Sequence, residues 1–162
     1  MRMDKANLRI LKELQKNGRL TNIELGEAVG LSGSQCSRRR TGLEESGVIK
    51  GYSANLSSSA LGLEVIAFVD VTLARHTSTV AVEFAELIDS LPDVQEAFAM
   101  TGEADYLLKV IVPDLPRLAD VLNGGLLSSD LVQTVKSSIV LKPLKTGAEL
   151  PLESIGPKKN TN

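Results

Sequence analysis

The chain has 162 residues, 43 % of them apolar and 3 % aromatic, with no Trp; it has room for one medium domain or two small ones, with cores built from Leu, Val, Ile and Ala. Its net charge of −2 hides a segregation: residues 1–52 carry ten Lys/Arg against six Asp/Glu, and residues 53–162 carry eight against fourteen, which points to an anionic partner for the first part alone. One cysteine (Cys36) and one histidine (His76) exclude an internal disulfide and leave no zinc ligand set, no apolar run nears the ~20 residues of a membrane span, and the start MRMDKANLRI lacks a signal-peptide core, so a cytoplasmic protein without metal or cofactor is expected.

Residues 4–17 form the first predicted helix. Leu8, Leu11 and Leu14, with Ile10, recur at helical spacing, and Asn17-Gly18 closes it. Two helix starts follow, eleven residues apart. Thr21 has Glu24 three residues on, and Ser32 has Gln35. In each pair the hydroxyl takes a free backbone N–H, and the acid or amide reaches back to the cap's own N–H. The second helix is predicted over 21–28, burying Ile23, Leu25, Ala28 and Val29, with Gly30 as its stop. The third is predicted over 32–46, ended by Gly47, and 48–52 reads as a short strand, a wing.

Two short capped helices joined by a tight turn describe a helix-turn-helix, about residues 22–41, within a winged domain of residues 1–52. Its partner is double-stranded DNA. The early part of the third helix enters the major groove in such domains, so Ser32, Ser34, Gln35, Arg38 and Arg39 are the candidate DNA contacts. The run Arg38-Arg39-Arg40 also reads as an ordinary solvated face. At ~100° per residue, at most two of the three can point one way. Cys36 reads as a small core residue beside Leu43, and Gly42 weakens the helix interior by about 1 kcal/mol.

Residues 53–61 are polar and serine-rich, a linker. Residues 62–143 alternate differently. A strand is predicted over 63–74. A helix follows over 79–91, with Val80, Phe84, Leu87, Ile88 and Leu91 on one stripe. Strands come next at 94–100 and 106–112. A helix opened by Asp114 and Pro116 buries Leu118, Val121, Leu122 and Leu126, and a last strand covers 132–142. The order β-α-β-β-α-β is the ferredoxin-like split unit, and the fold class is α+β. Both faces of the first and third strands are apolar, yet such a sheet carries helices on one face only; the other face calls for a second copy of the chain. Residues 144–162 are a tail, with 150–152 read as an added edge strand. His76 sits in the polar stretch ARHTST and reads as an exposed loop residue.

Residues 101–108, TGEADYLL, lie between two strands. On the residues alone they read first as an ordinary polar turn before a strand and second as a small-molecule site. Gly102 exposes neighbouring N–H groups that suit a carboxylate, and Glu103 or Asp105 can receive an ammonium, so together they match an amino-acid zwitterion.

Three stretches, 8–32, 43–56 and above all 101–110 (TGEADYLLKV), resemble in order and spacing the Lrp/AsnC regulators, the feast/famine transcription factors of bacteria and archaea. The resemblance implies an N-terminal winged helix-turn-helix and a ferredoxin-like effector domain. It implies dimers, often assembled to octamers, and an amino-acid effector that tunes DNA binding on the nucleoid. It places the effector at Met100, Thr101, Gly102, Glu103, Asp105 and Tyr106, with Ser137 of the last strand as a further contact. Arg39 matches a usual family Arg, whereas Arg40 stands where the family has an aliphatic residue. Met100 and Ala104 leave apolar room, which favours leucine or methionine. A tetrapyrrole enzyme of the siroheme decarboxylase type shares the architecture, but the chain has one His and few cations beyond residue 53. An architectural DNA-binding protein without an effector is the third reading.

Overall fold

The computed structural model describes residues 3–147 and 149–155. The chain divides into two units, one reaching to Asn55 and rejoined by the segment from Lys145 on, the other spanning Leu56–Leu144.

In the first unit, α1 (Lys5–Lys16), α2 (Asn22–Val29) and α3 (Gly33–Glu45) form a three-helix cluster. Asp4 caps α1 by accepting the Asn7 N–H at 2.8 Å. Both predicted capping boxes close. Thr21 Oγ1 accepts the Glu24 N–H while Glu24 accepts the Thr21 N–H, and Ser32 and Gln35 repeat the exchange. Gly30, at φ +70°, makes the left-handed C-cap of α2. Ile10, Leu14, Leu25, Val29, Cys36 and Leu43 are the buried core. Burial pushes the Cys36 thiol pKa up, so the thiol is protonated and packs as a small apolar group.

Three expectations fail here. Ile23 is 70 % exposed and Ala28 is exposed; α2 buries Leu25, Gly26 and Val29 instead. Ile23 lies about 200° round the helix from Leu25, on the far side. Residues 48–52 form no strand, because the Val48 and Ile49 amides both donate to the Leu43 carbonyl and close the end of α3. Residues 150–152 add no edge strand either; Leu152–Ser154 is a short 3-10 turn. Among the described residues beyond Leu144, 145–147 and 149–155 group with the first unit.

The second unit is β1 (Val65–Leu73), α4 (Ser78–Asp89), β2 (Val94–Ala99), β3 (Tyr106–Val112), α5 (Leu115–Asp120, continued by a wider turn over Val121–Leu126) and β4 (Val132–Ile139). The sheet is antiparallel in the order β2-β3-β1-β4. On its helix-covered face Ala67, Val69, Val71 and Leu73 of β1 and Leu108, Val110 and Val112 of β3 pack against Phe84, Leu118, Val121 and Leu126. On its other face stand Ile66, Phe68, Leu107, Ile111 and Phe98, interleaved with Asp70, Thr72, Glu96 and Lys109, by the alternation and register of the strands. Phe68 and Phe98 there are 39 % and 47 % exposed.

Gly26 fixes the approach of α2 to the turn. A Cβ added at Gly26 would stand 2.6 Å from the Leu31 carbonyl oxygen, the backbone of the turn itself. Gly26→Ala is therefore expected to destabilise the first unit by about 2 kcal/mol or more, read as a lowered urea midpoint; an unchanged midpoint refutes this packing.

Candidate DNA-reading surface and effector cleft

The three arginines of α3 diverge. Arg39 Nη1 donates to Asp4 Oδ2 at 2.8 Å and to Asn7 Oδ1 at 2.9 Å, tying α3 to the start of α1. Asn7 is buried. The Asn7 amide and then the Arg39 guanidinium hold the Asp4 carboxyl below its ordinary pKa, against a partial loss of solvent. Arg40 turns to the other flank. Its guanidinium donates to the Leu20 carbonyl at 2.9 Å and to the Tyr52 hydroxyl at 2.8 Å, pairs with Glu44 at 3.3 Å and lies 4.6 Å from the Tyr52 ring centre. An aliphatic residue there could make none of these bonds. Arg38 alone is exposed, and among the described residues it has no ion pair or hydrogen bond.

The other candidate contacts also separate. Ser32 and Gln35 are exposed, but each gives a side-chain oxygen to the cap, Ser32 Oγ accepting the Gln35 N–H at 3.2 Å and Gln35 Oε1 the Ser32 N–H at 3.0 Å. Ser34 is exposed, its Oγ 3.1 Å from Ser32 Oγ. Ser34, Arg38 and the exposed Thr41 fall at i, i+4 and i+7, one outward stripe. Thr41 was not among the expected contacts; the periodicity from Ser34 is the signal that marks it.

In the second unit Asp105 organises the loop between β2 and β3. Its backbone N–H donates to the Val71 carbonyl, and its carbonyl accepts the Met100 N–H. Its carboxylate accepts the Leu73 N–H at 2.8 Å and lies 2.9 Å from His76 Nε2. His76 is thus more than a loop residue: it is exposed, yet its ring is engaged with Asp105. Nothing local in ARHTST announces this contact, because its partner lies 29 residues away.

A cleft of about 260 Å³ opens beside this pair, lined by Leu73, His76, Thr77, Ala81, Ala99, Asp105 and Tyr106. The Tyr106 ring packs on Phe84 with centroids 4.6 Å apart, which fixes one wall. Of the expected effector residues, Asp105 and Tyr106 line this cleft. Met100, Thr101, Gly102 and Glu103 are exposed in the adjoining strand end and loop, with Gly102 at φ +132°, a conformation L side chains rarely adopt. Ser137 lies exposed on the edge strand β4, opposite Val69, and does not line the cleft.

Residues 66–150 match the Lrp/AsnC ligand binding domain, and residues 3–50 match a winged helix-turn-helix DNA-binding domain. The chain belongs to the Lrp/AsnC family. It is a DNA-binding transcription regulator whose effector is an amino acid. It is 37 % identical to the leucine-responsive regulatory protein of Rhizobium meliloti (strain 1021) over 93 % of this chain and 96 % of that protein. To the Escherichia coli (strain K12) leucine-responsive regulatory protein it is 35 % identical, over 94 % and 93 % of the two chains. Among solved structures, a transcriptional regulator from Neisseria meningitidis in complex with L-Met is similar at 41 % identity and a TM-score of 0.88, over 93 % of this chain and 97 % of that one. In this Lrp/AsnC chain the described residues include no helix long and apolar enough to cross a membrane.

Arg39→Ala is expected to lower stability by about 1–2 kcal/mol, the size of a half-exposed charged hydrogen bond pair. The sign with pH follows from Asp4. Because its folded pKa is depressed, the contribution is fully present above the ordinary value of 3.8 and is lost as pH falls through the lowered folded value. The wild type should therefore lose stability more steeply than Arg39→Ala below pH 4, in urea titrations at stepped pH. Parallel curves refute the tie.

Proposed function

We propose that this regulator reads duplex DNA through the stripe Ser34, Arg38 and Thr41, and that it binds a free aliphatic amino acid, leucine or methionine, at the Asp105 cleft. The cleft carries the effector reading: about 260 Å³ of space beside an Asp105–His76 pair suits a small ligand with one cationic end. Asp105 and Glu103 face the ammonium, the N–H groups about Gly102 receive the carboxylate, and Leu73, Ala81, Ala99 and Tyr106 take the side chain. Met100 and Thr101 flank the site, and Ser137 joins it only from another copy of the chain. The names of the relatives and the L-Met complex of the Neisseria meningitidis structure support both amino acids.

The open face of the sheet, where Phe68, Phe98 and Leu107 stand among Asp70, Glu96 and Lys109, supports self-association through those apolar residues, as a dimer and by further assembly an octamer. The Lys109–Glu96 pair at 2.6 Å adds charge beside this patch. The reading is a cytoplasmic, nucleoid-associated regulator rather than an enzyme. Against the siroheme decarboxylase alternative, the one His of the chain is bound to a carboxylate that also caps a strand.

Two outcomes test the reading. Arg38→Ala is expected to keep the wild-type urea midpoint and to weaken operator binding about tenfold or more at fixed salt; unaltered affinity removes Arg38 from the reading stripe. Asp105→Ala and His76→Ala are each expected to weaken L-leucine or L-methionine binding at least tenfold by calorimetry, while DNA affinity without effector stays as in the wild type. Undiminished amino-acid affinity places the effector elsewhere.

A further inference from the structure

The outward face of α1 carries a basic stripe. Lys5, Arg9, Lys12 and Lys16 recur at i, i+4, i+7 and i+11, opposite the buried Asn7, Ile10 and Leu14, and cover about 16 Å of helix. Lys16 pairs with Glu13 at 2.8 Å. Lys5 and Arg9 have no ion pair among the described residues. The C-terminal segment lies along this stripe. Gln15 grips the Leu150 backbone as a strand would, its Oε1 accepting the Leu150 N–H at 2.8 Å and its Nε2 donating to the Leu150 carbonyl at 3.4 Å. Lys12 Nζ donates to Glu153 Oε1 at 2.9 Å. Between helix and segment is a groove of about 490 Å³ lined by Lys5, Leu8, Arg9, Lys12, Leu152 and Glu153. Glu153 above all, then Glu13 and Glu149, raise the Lys12 pKa, so both acids of the segment act on the stripe.

We propose that the Lys5–Arg9–Lys12 stripe is a second contact surface for the DNA phosphate backbone, and that the acidic segment 149–155 covers it as a displaceable strap. The strap puts carboxylates where phosphates would bind. Its hold is of the right strength for displacement. The Lys12 and Glu153 side chains are 49 % and 71 % exposed, and pairs of that kind contribute little to stability. Duplex DNA presents about one negative charge per 1.7 Å of its axis, and each phosphate neutralised releases counterions; two carboxylates cannot match that density. The strap then penalises weak, non-specific contacts most, since those rest on phosphates alone.

The test is a fluorescence-anisotropy titration of the full chain against a non-specific duplex at several salt concentrations. E149Q/E153Q is expected to bind at least threefold tighter at low salt, with the slope of log K against log salt steeper by about one. In a K12A background the same pair of substitutions should return less than half of that gain. An unchanged slope in E149Q/E153Q overturns the proposal. So does an equal gain in the K12A background, which makes the effect one of overall charge. A melting temperature lowered by E149Q/E153Q with unaltered DNA affinity also overturns it, leaving the segment only a stabilising part.

Discussion

The bond from Arg39 to Asp4 and Asn7 sets the reading helix in place. α3 buries only two residues, Cys36 and Leu43, too little apolar surface to fix its rotation, since burying a side chain of that kind contributes about 1.5–3 kcal/mol and has no direction. Direction comes from polar ties on two flanks. Arg39 reaches α1 on one side, and Arg40 reaches the Leu20 carbonyl and Tyr52 on the other. With both flanks pinned, Arg38 between them has one way to point, outward. Three consecutive arginines that look like one positive patch are two braces and one exposed side chain, as the ~100° step of a helix requires.

The second unit repeats this logic with a single carboxylate. Asp105 follows a loop that must turn sharply at Gly102 and then enter β3 in register. By accepting the Leu73 amide and holding His76, its side chain binds the end of β1 to that loop. It thereby sets the wall of the cleft that α4 closes with Thr77 and Ala81. A ligand group placed there meets a preformed site, which lowers the ordering cost of binding.

Much of this was legible in order of locality. The caps Thr21, Ser32 and Asp114 and the stop at Gly30 rest on contacts within three or four residues, and all form. The apolar stripe of α4 and the alternation along β1 and β3 were legible for the same reason, because period encodes face. What escaped depends on residues far apart in the chain. Arg39 finds Asp4 across 35 positions, and His76 finds Asp105 across 29. Ile23 misled because its apolar character suited a buried face while its angle put it outside. The stretch 48–52 has strand-forming residues, but a strand also needs a partner, and the Leu43 carbonyl took its first two amides.

The geometry of α3 bears on assembly as well. On the proposed reading one helix offers Ser34, Arg38 and Thr41 to the groove and reads only a few base pairs, and one good bidentate contact discriminates by about 1–3 kcal/mol. Selecting one site among 10⁶ or more competitors needs on the order of 8 kcal/mol. A single copy falls short of that by a wide margin, because Ser and Thr hydroxyls add less than a fork-shaped Arg contact. Two copies related by a two-fold axis double the read sequence with no new chemistry. The proposed self-association through the open sheet face bearing Phe68 and Phe98 is the route to such a pair. The proposed dimer face and the proposed reading stripe thus answer the same requirement from opposite ends of the chain.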